Sequence, residues 1–346
     1  MSISRKTYSH LAGARRIPTT YEVVTSRLLY YFDRAGFALE LPTSEWYRRY
    51  QVGSPIGGAL PAGSTPGWEA FEDPRATTYA SYVRQQRDRE AFVARVLDAA
   101  SVARQDPALP AAWIETLERT LSPLRFVYHG LQMAAAYVAQ MAPSGRITVA
   151  ALFQTGDEIR RIHGIAFRVV QLRAVAGPAF GESGRDRWQS DPSWQPLRRV
   201  VEKLLVTYDW GAALVALNVC VRPLVDELFL VGLATLAERH GDYADAQLLR
   251  SFADDGTWQR EWTERLLRVA GSDPNGLPSG SAGTGGASVA RAAIAAWIAE
   301  WRPQVADAVA AAAANLGPDG AAVAARANES LAPWVRPFTR EGHDGA

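Results

Sequence analysis

Residues 210–236, WGAALVALNVCVRPLVDELFLVGLATL, constrain the fold more than any other stretch. The run is long and apolar enough to suggest a membrane span. However, Arg222, Asp226 and Glu227 stand near its middle, next to Pro223. Three charges at that depth are costly in lipid. The run therefore predicts a helix buried in protein, with Pro223 kinking or breaking it. Hydrophobic residues make up 48% of the 346-residue chain, which is enough to build a substantial core around such a helix.

The rest of the sequence also reads as helical. The segment DPRATTYASYVRQQRDREAFVARVLDAASVA places Tyr79, Tyr82, Val83, Phe92, Val93, Val96 and Leu97 roughly on one face. Asp73-Pro74 predicts its start, as an N-cap followed by proline. Further helices are predicted over about 110–141, 145–173, 193–222, 224–239, 242–270 and 289–315. No β-branched segment with period-two alternation stands out, so the fold class is all-α. The chain divides into an extended arm over 1–75, a helical domain over 76–270, a flexible Gly/Ser linker over 271–288 and C-terminal helices with a tail over 289–346. The arm is aromatic, and LLYYF and SEWYRRYQ supply Tyr30, Tyr31, Phe32, Trp46, Tyr47 and Tyr50. These rings suit a subunit contact better than packing on their own domain.

Several function classes are disfavoured. With 37 basic and 36 acidic residues, nothing favours binding to nucleic acid or an anionic membrane. The lone Cys220 excludes an internal disulfide and a multi-cysteine metal site, which fits a reducing cytoplasm. The N-terminus, MSISRKTYSHLAGARR, lacks the apolar core of a secretion signal. GSAGTGG at 280–286 follows no strand and lacks a Lys-Ser/Thr, so it reads as linker rather than phosphate loop. No catalytic residue or cofactor-binding motif is found.

Metal ligation can be tested through the histidines. His10, His129, His163, His240 and His343 are preceded at three residues by Thr7, Phe126, Arg160, Ala237 and Arg340. None of these is acidic, so no Glu-x-x-His exists. A helical di-iron carboxylate site needs two such motifs. The nearest approach is TGDEIRRIHG (155–164), where Glu158 and Arg161 share a helix face as an ordinary ion pair. Taken alone, that pair reads as a solvated surface contact, and His163 as a core or interface histidine.

Six stretches together resemble a known family. They are KTYSHLAGARRIPTTYEVVTSRLLYYF (6–32), WYRRYQVGSP (46–55), FEDPRATTYASYVRQQRD (71–88), LSPLRFVYHGLQMAAAYVAQMAP (121–143), VTYDWGAALVALNVCVRPLVDELF (206–229) and WIAEWRP (297–303). In order and spacing they are similar to the β, or small hydroxylase, subunit of soluble bacterial multicomponent di-iron monooxygenases of the toluene/alkene branch. The resemblance implies a ferritin-like helical bundle related to the catalytic α subunit. It implies that DEIRR is a di-iron motif with Arg161 at the iron-binding histidine position. A second degenerate pair falls at Asp255 and Trp258. Arginine and an indole NH cannot ligate iron, so the resemblance implies a non-catalytic chain with no metal. The di-iron centre would lie in the partner α subunit. The implied partners are α and γ subunits in an (αβγ)2 assembly, with an effector protein, a ferredoxin and an NADH reductase. The composition also permits a helical adaptor or regulator outside any oxygenase.

Overall fold

The computed structural model describes residues 19–25, 43–56, 67–271 and 285–339. Among them every regular element is helical. Two short helices, α1 (Thr20–Thr25) and α2 (Thr43–Tyr47), belong to the arm. Then α3 spans Tyr79–Val102, α4 Ala111–Met141 and α5 Gly145–Ala176. The short α6 (Gly184–Ser190) and α7 (Gln195–Leu205) follow. The apolar run begins with α8 (Trp210–Val215), continues through α9 (Arg222–Asp226) and ends with α10 (Leu233–Arg239). The chain is completed by α11 (Tyr243–Gly271), α12 (Gly285–Ala312) and α13 (Gly320–Val335).

Four long rods form the frame: α4, α5, the α8–α10 rod and α11. The α8–α10 rod is its centre, and almost every residue from Trp210 to Leu230 is buried. Asp209 caps its start, its carboxylate accepting from Ala212 N at 2.9 Å and Ser54 Oγ at 2.8 Å. Of the two outcomes expected at Pro223, a kink or a break, the break does not occur. Pro223 has no N–H to give, and the helix widens into π turns on both sides, Ala216–Val221 and Glu227–Gly232. The break falls instead between Leu205 and Trp210.

Two expectations about α3 need correction. Its N-cap is Thr78, in a capping box with Ser81, rather than Asp73. Asp73 caps the preceding turn, accepting from Arg75 N and Thr77 N. Of the expected apolar face only Val93 and Leu97 are buried; Tyr79, Val83 and Phe92 are exposed. Polar groups hold this helix instead, as described below. The arm residues Tyr30, Tyr31 and Phe32, and the linker over 272–284, lie outside the described residues. Trp46 and Tyr50 pack with Tyr208, at ring centroid distances of 4.5 to 5.7 Å. Gln51 Nε2 then ties this segment to Met141 O at 2.7 Å. Trp46 remains exposed, while Tyr47 and Tyr50 are half-buried against their own bundle.

Candidate functional site: a buried ion-pair centre in the helix frame

Helical spacing puts Glu158 and Arg161 on one face of α5. That face points inward, and both residues are fully buried. The solvated-pair reading therefore fails at this position. Arg161 Nη1 donates to Glu158 Oε2 at 2.9 Å and to Asp226 Oδ1 of α9 at 3.4 Å. Its Nη2 donates to Phe252 O of α11 at 3.0 Å. Its guanidinium lies 5.4 Å from the ring centre of Tyr128 on α4, whose hydroxyl donates to Asp226 Oδ1 at 3.3 Å. Arg161 thus touches all four rods. Arg222 Nη1 donates to the second Asp226 oxygen at 3.0 Å. Two cations meet two carboxylates, so the centre is charge-balanced without a bound ion.

The electrostatics follow from burial and pairing. Burial pushes Glu158 up to about 7, against the pull of Arg161. Burial opposes the charge on Arg161, but Asp226 and Glu158 outweigh it and hold Arg161 above its ordinary value. Arg222 is lowered, chiefly by burial and also by the neighbouring Arg161, against the pull of Asp226 and Glu158. Its Nε and Nη2 have no partner.

A second polar layer lies beside this centre. Asp157 accepts from Tyr82 at 2.9 Å and Gln86 at 2.8 Å, both on α3, and from Gln259 of α11 at 2.6 Å. Gln86 also reaches Asp255 at 3.1 Å, which pairs with Arg89 and with Arg160 at 3.0 Å. These contacts anchor α3, a helix with little apolar burial of its own. A third cluster closes the far end of α5. Arg168 binds Asp245 at 2.7 Å and Asp106 at 2.6 Å, while Trp113 donates to Asp242 at 2.9 Å.

The second sequence-derived pair is placed differently from the first. Asp255 faces α3 and Arg160, and Trp258 donates its indole NH to Asp73 at 2.8 Å. Neither joins Glu158 and Arg161. From α11 it is Gly256 that faces the centre: a Cβ there would lie 3.2 Å from Asp226 and 3.6 Å from Arg222. The displacement is one residue, which on a helix rotates the position by about 100°. Sequence reasoning used Arg222 and Asp226 only against a membrane span. Their i, i+4 spacing inside an apolar run was the available signal for a buried pair.

This donor set does not fit a di-iron group. An always-protonated guanidinium occupies the gap between Glu158 and Asp226. Tyr128 and Gly256 supply no further carboxylate, and among the described residues no three metal-ligating side chains converge. His129, His163 and His240 are all exposed, so His163 is not a core histidine. The arrangement can brace a frame, but it offers no nucleophile–base pair. Buried Cys220 is pushed up to about 12 by desolvation, away from its reactive thiolate form.

The family described as Methane/Phenol/Alkene Hydroxylase matches residues 46–274. The chain is 32% identical over 303 residues to the toluene-4-monooxygenase hydroxylase component subunit beta of Ectopseudomonas mendocina, covering 86% of each. It is 26% identical over 312 residues to the propane 2-monooxygenase hydroxylase small subunit of Mycolicibacterium goodii, covering 89% of this chain and 80% of the other. Its fold matches a toluene 4-monooxygenase structure with toluene bound in the resting active site. That match has a TM-score of 0.79 and 30% identity, over 91% of this chain and 99% of the other. A phenol hydroxylase structure from Pseudomonas sp. OX1 shares the fold at a TM-score of 0.76 and 20% identity, over 98% and 96% of the two chains.

Proposed function

This chain belongs to the methane/phenol/alkene hydroxylase family, and from that premise we propose that it is the non-catalytic small (β) subunit of a multicomponent di-iron hydroxylase. The catalytic α subunit carries the iron and oxygenates a small hydrocarbon: R–H, O2, NADH and a proton give R–OH, water and NAD+. This chain braces α, supports its dimerisation in an (αβγ)2 assembly and works in the cytoplasm. An effector protein, a ferredoxin and an NADH reductase serve the same assembly. No helix among the described residues is long and apolar enough to cross a membrane.

One observation carries this reading: Arg161 sits in the middle of the four-rod frame, bonded to Glu158, Asp226 and Phe252 O. The frame of a metal-binding bundle is kept, and a side-chain cation takes the central place. Support of this kind matters because slack around a metal weakens its positioning. The substrate is a small aromatic, alkene or alkane, the range that the relatives' names and the family's description cover.

Co-expression with the large subunit encoded beside it tests the role. A stable complex is expected, with hydroxylase activity that drops when this chain is omitted. A chain that stays alone, beside a large subunit fully active without it, overturns the role.

A further inference from the structure

The C-terminal helices α12 and α13 enclose a cleft that the four-rod frame does not use. Its volume is about 680 Å³, within the range of small-molecule sites. Ala295, Ile298, Ala299 and Pro303 line it from α12, and Val335 from α13. Arg302 is the only charged residue among those lining it. Two polar side chains complete the lining, and both are engaged. Asn328 Nδ2 donates to Ala324 O at 3.2 Å, and Thr339 Oγ1 to Arg336 O at 2.9 Å.

Arg302 is half-buried and poorly satisfied. Its Nη1 is shut away from water without a hydrogen-bond partner. Its Nη2 reaches only Asn328 O, at a long 3.4 Å. Among the described residues no carboxylate pairs with it, whereas the buried guanidiniums of Arg161, Arg168 and Arg222 all meet carboxylates. Desolvation lowers Arg302 from its ordinary value, and the group that pulls the other way is the Cys220 thiol. That thiol is itself pushed up to about 12, so it carries no charge at neutral pH. A cation partly withdrawn from water is costly until an anion meets it. One cation calls for one negative charge, and walls of alanine, isoleucine, valine and proline call for a hydrocarbon body. A phosphate or dicarboxylate would leave its second charge facing those walls unpaired.

We propose that this cleft binds a monocarboxylic acid with an apolar body, its carboxylate at Arg302 and its hydrocarbon part along α12 between Ala295 and Pro303. The site belongs to this chain by itself and does not depend on the subunit role proposed above. Its setting gives binding a route to the frame. Helix α12 packs on the π turn Ala216–Val221. Helix α13 comes so close to the other π turn that a Cβ on Gly232 would lie 2.2 Å from Val323 Cγ1. An acid held between α12 and α13 fastens together the two helices that rest on these turns.

Titration calorimetry on the full-length chain at pH 7 tests the site, with benzoate and octanoate as probes. Benzyl alcohol supplies an apolar body without the charge, and acetate the charge without the body. We expect saturable binding of at least one probe, one per chain, with both controls weaker by about tenfold or more. Arg302→Met keeps an unbranched stem and removes the cation. Ala299→Phe keeps the cation and fills the cleft from its wall. Each should weaken the tighter probe by about tenfold or more, while thermal melts of the unliganded variants stay close to wild type. If Arg302→Met fails to fold, Ala299→Phe and the two controls decide. No saturable binding of either probe to wild type overturns the inference, and so does equal affinity in a folded Arg302→Met or in Ala299→Phe. Acetate that binds as tightly as the probes also overturns it, in favour of a plain surface anion contact.

Discussion

Helix α12 buries Ile294, Ile298, Trp301, Val305 and Val309 along one stripe, while α5 buries Asp157, Glu158, Arg161 and Arg168. The two helices are of similar length, 28 and 32 residues. At α12 the contacts are non-directional, and their strength follows the area removed from water. At α5, which also buries Ile147, Ile165 and Leu172, the ion pairs add directional contacts, and each buried guanidinium ties together the helices it joins. A buried ion pair is weak evidence for net stability, because desolvation offsets much of its attraction. What α5 contributes is placement: Arg161 alone reaches Glu158, Asp226, Phe252 O and the Tyr128 ring. The comparison suggests that the C-terminal helices add bulk stability, while the frame around α5 sets geometry.

Substitutions can break this contrast in order of size. Arg161→Ala leaves Glu158 and Asp226 buried without their shared cation, and should cost about 3–5 kcal/mol in chemical denaturation. Iron per assembled complex should nevertheless stay near normal. Ile298→Ala on α12 should cost about 2–4 kcal/mol, and the neighbouring ion pairs should be untouched. The double change Glu158→Leu with Arg161→Met removes one charge of each sign and should cost less than Arg161→Ala alone. If the double variant costs more than the single one, the pair is not the unit described here.

The pH dependence gives a gentler probe. Burial holds Glu158 at about 7 in the folded chain, against an ordinary 4.5. A raised carboxyl value means that the folded chain binds a proton that the unfolded chain releases. Its contribution to stability is full below about 4.5 and is lost as pH rises through about 7. Glu158→Gln should remove about one proton of this linkage, read as a flatter stability–pH slope across that window. Smallest of all, Tyr79→Ala on the exposed side of α3 should change stability by less than about 0.5 kcal/mol.

Much of this contrast was legible in the sequence. The 3.6-residue period revealed α4, α5 and α11 almost to their ends, because their apolar residues recur at helical spacing. The histidine census and the Glu158–Arg161 pair also came from residues alone. Other features were not legible there, each for a physical reason. The spacing of α3 suggested an apolar core face, but Tyr82, Gln86 and Arg89 anchor it through the carboxylates of Asp157 and Asp255. Pro223 suggested a kink or a break, and the rod runs on through it with π turns on either side. The inward direction of the Glu158–Arg161 pair could not be read locally, since Asp226, the second carboxylate bound by Arg161, lies 65 residues beyond it. The exposure of Leu152, Ile159, Phe167 and Val170 on α5 was likewise hidden, because a periodic stripe does not say which side is wet.

The central claim is that this chain keeps the helix frame of a di-iron hydroxylase with Arg161 in the place of metal. Iron analysis of the purified chain, apart from its partners, tests it most directly. The account predicts no stoichiometric iron in the isolated chain and iron recovered with the large subunit. Two irons per isolated chain would contradict it.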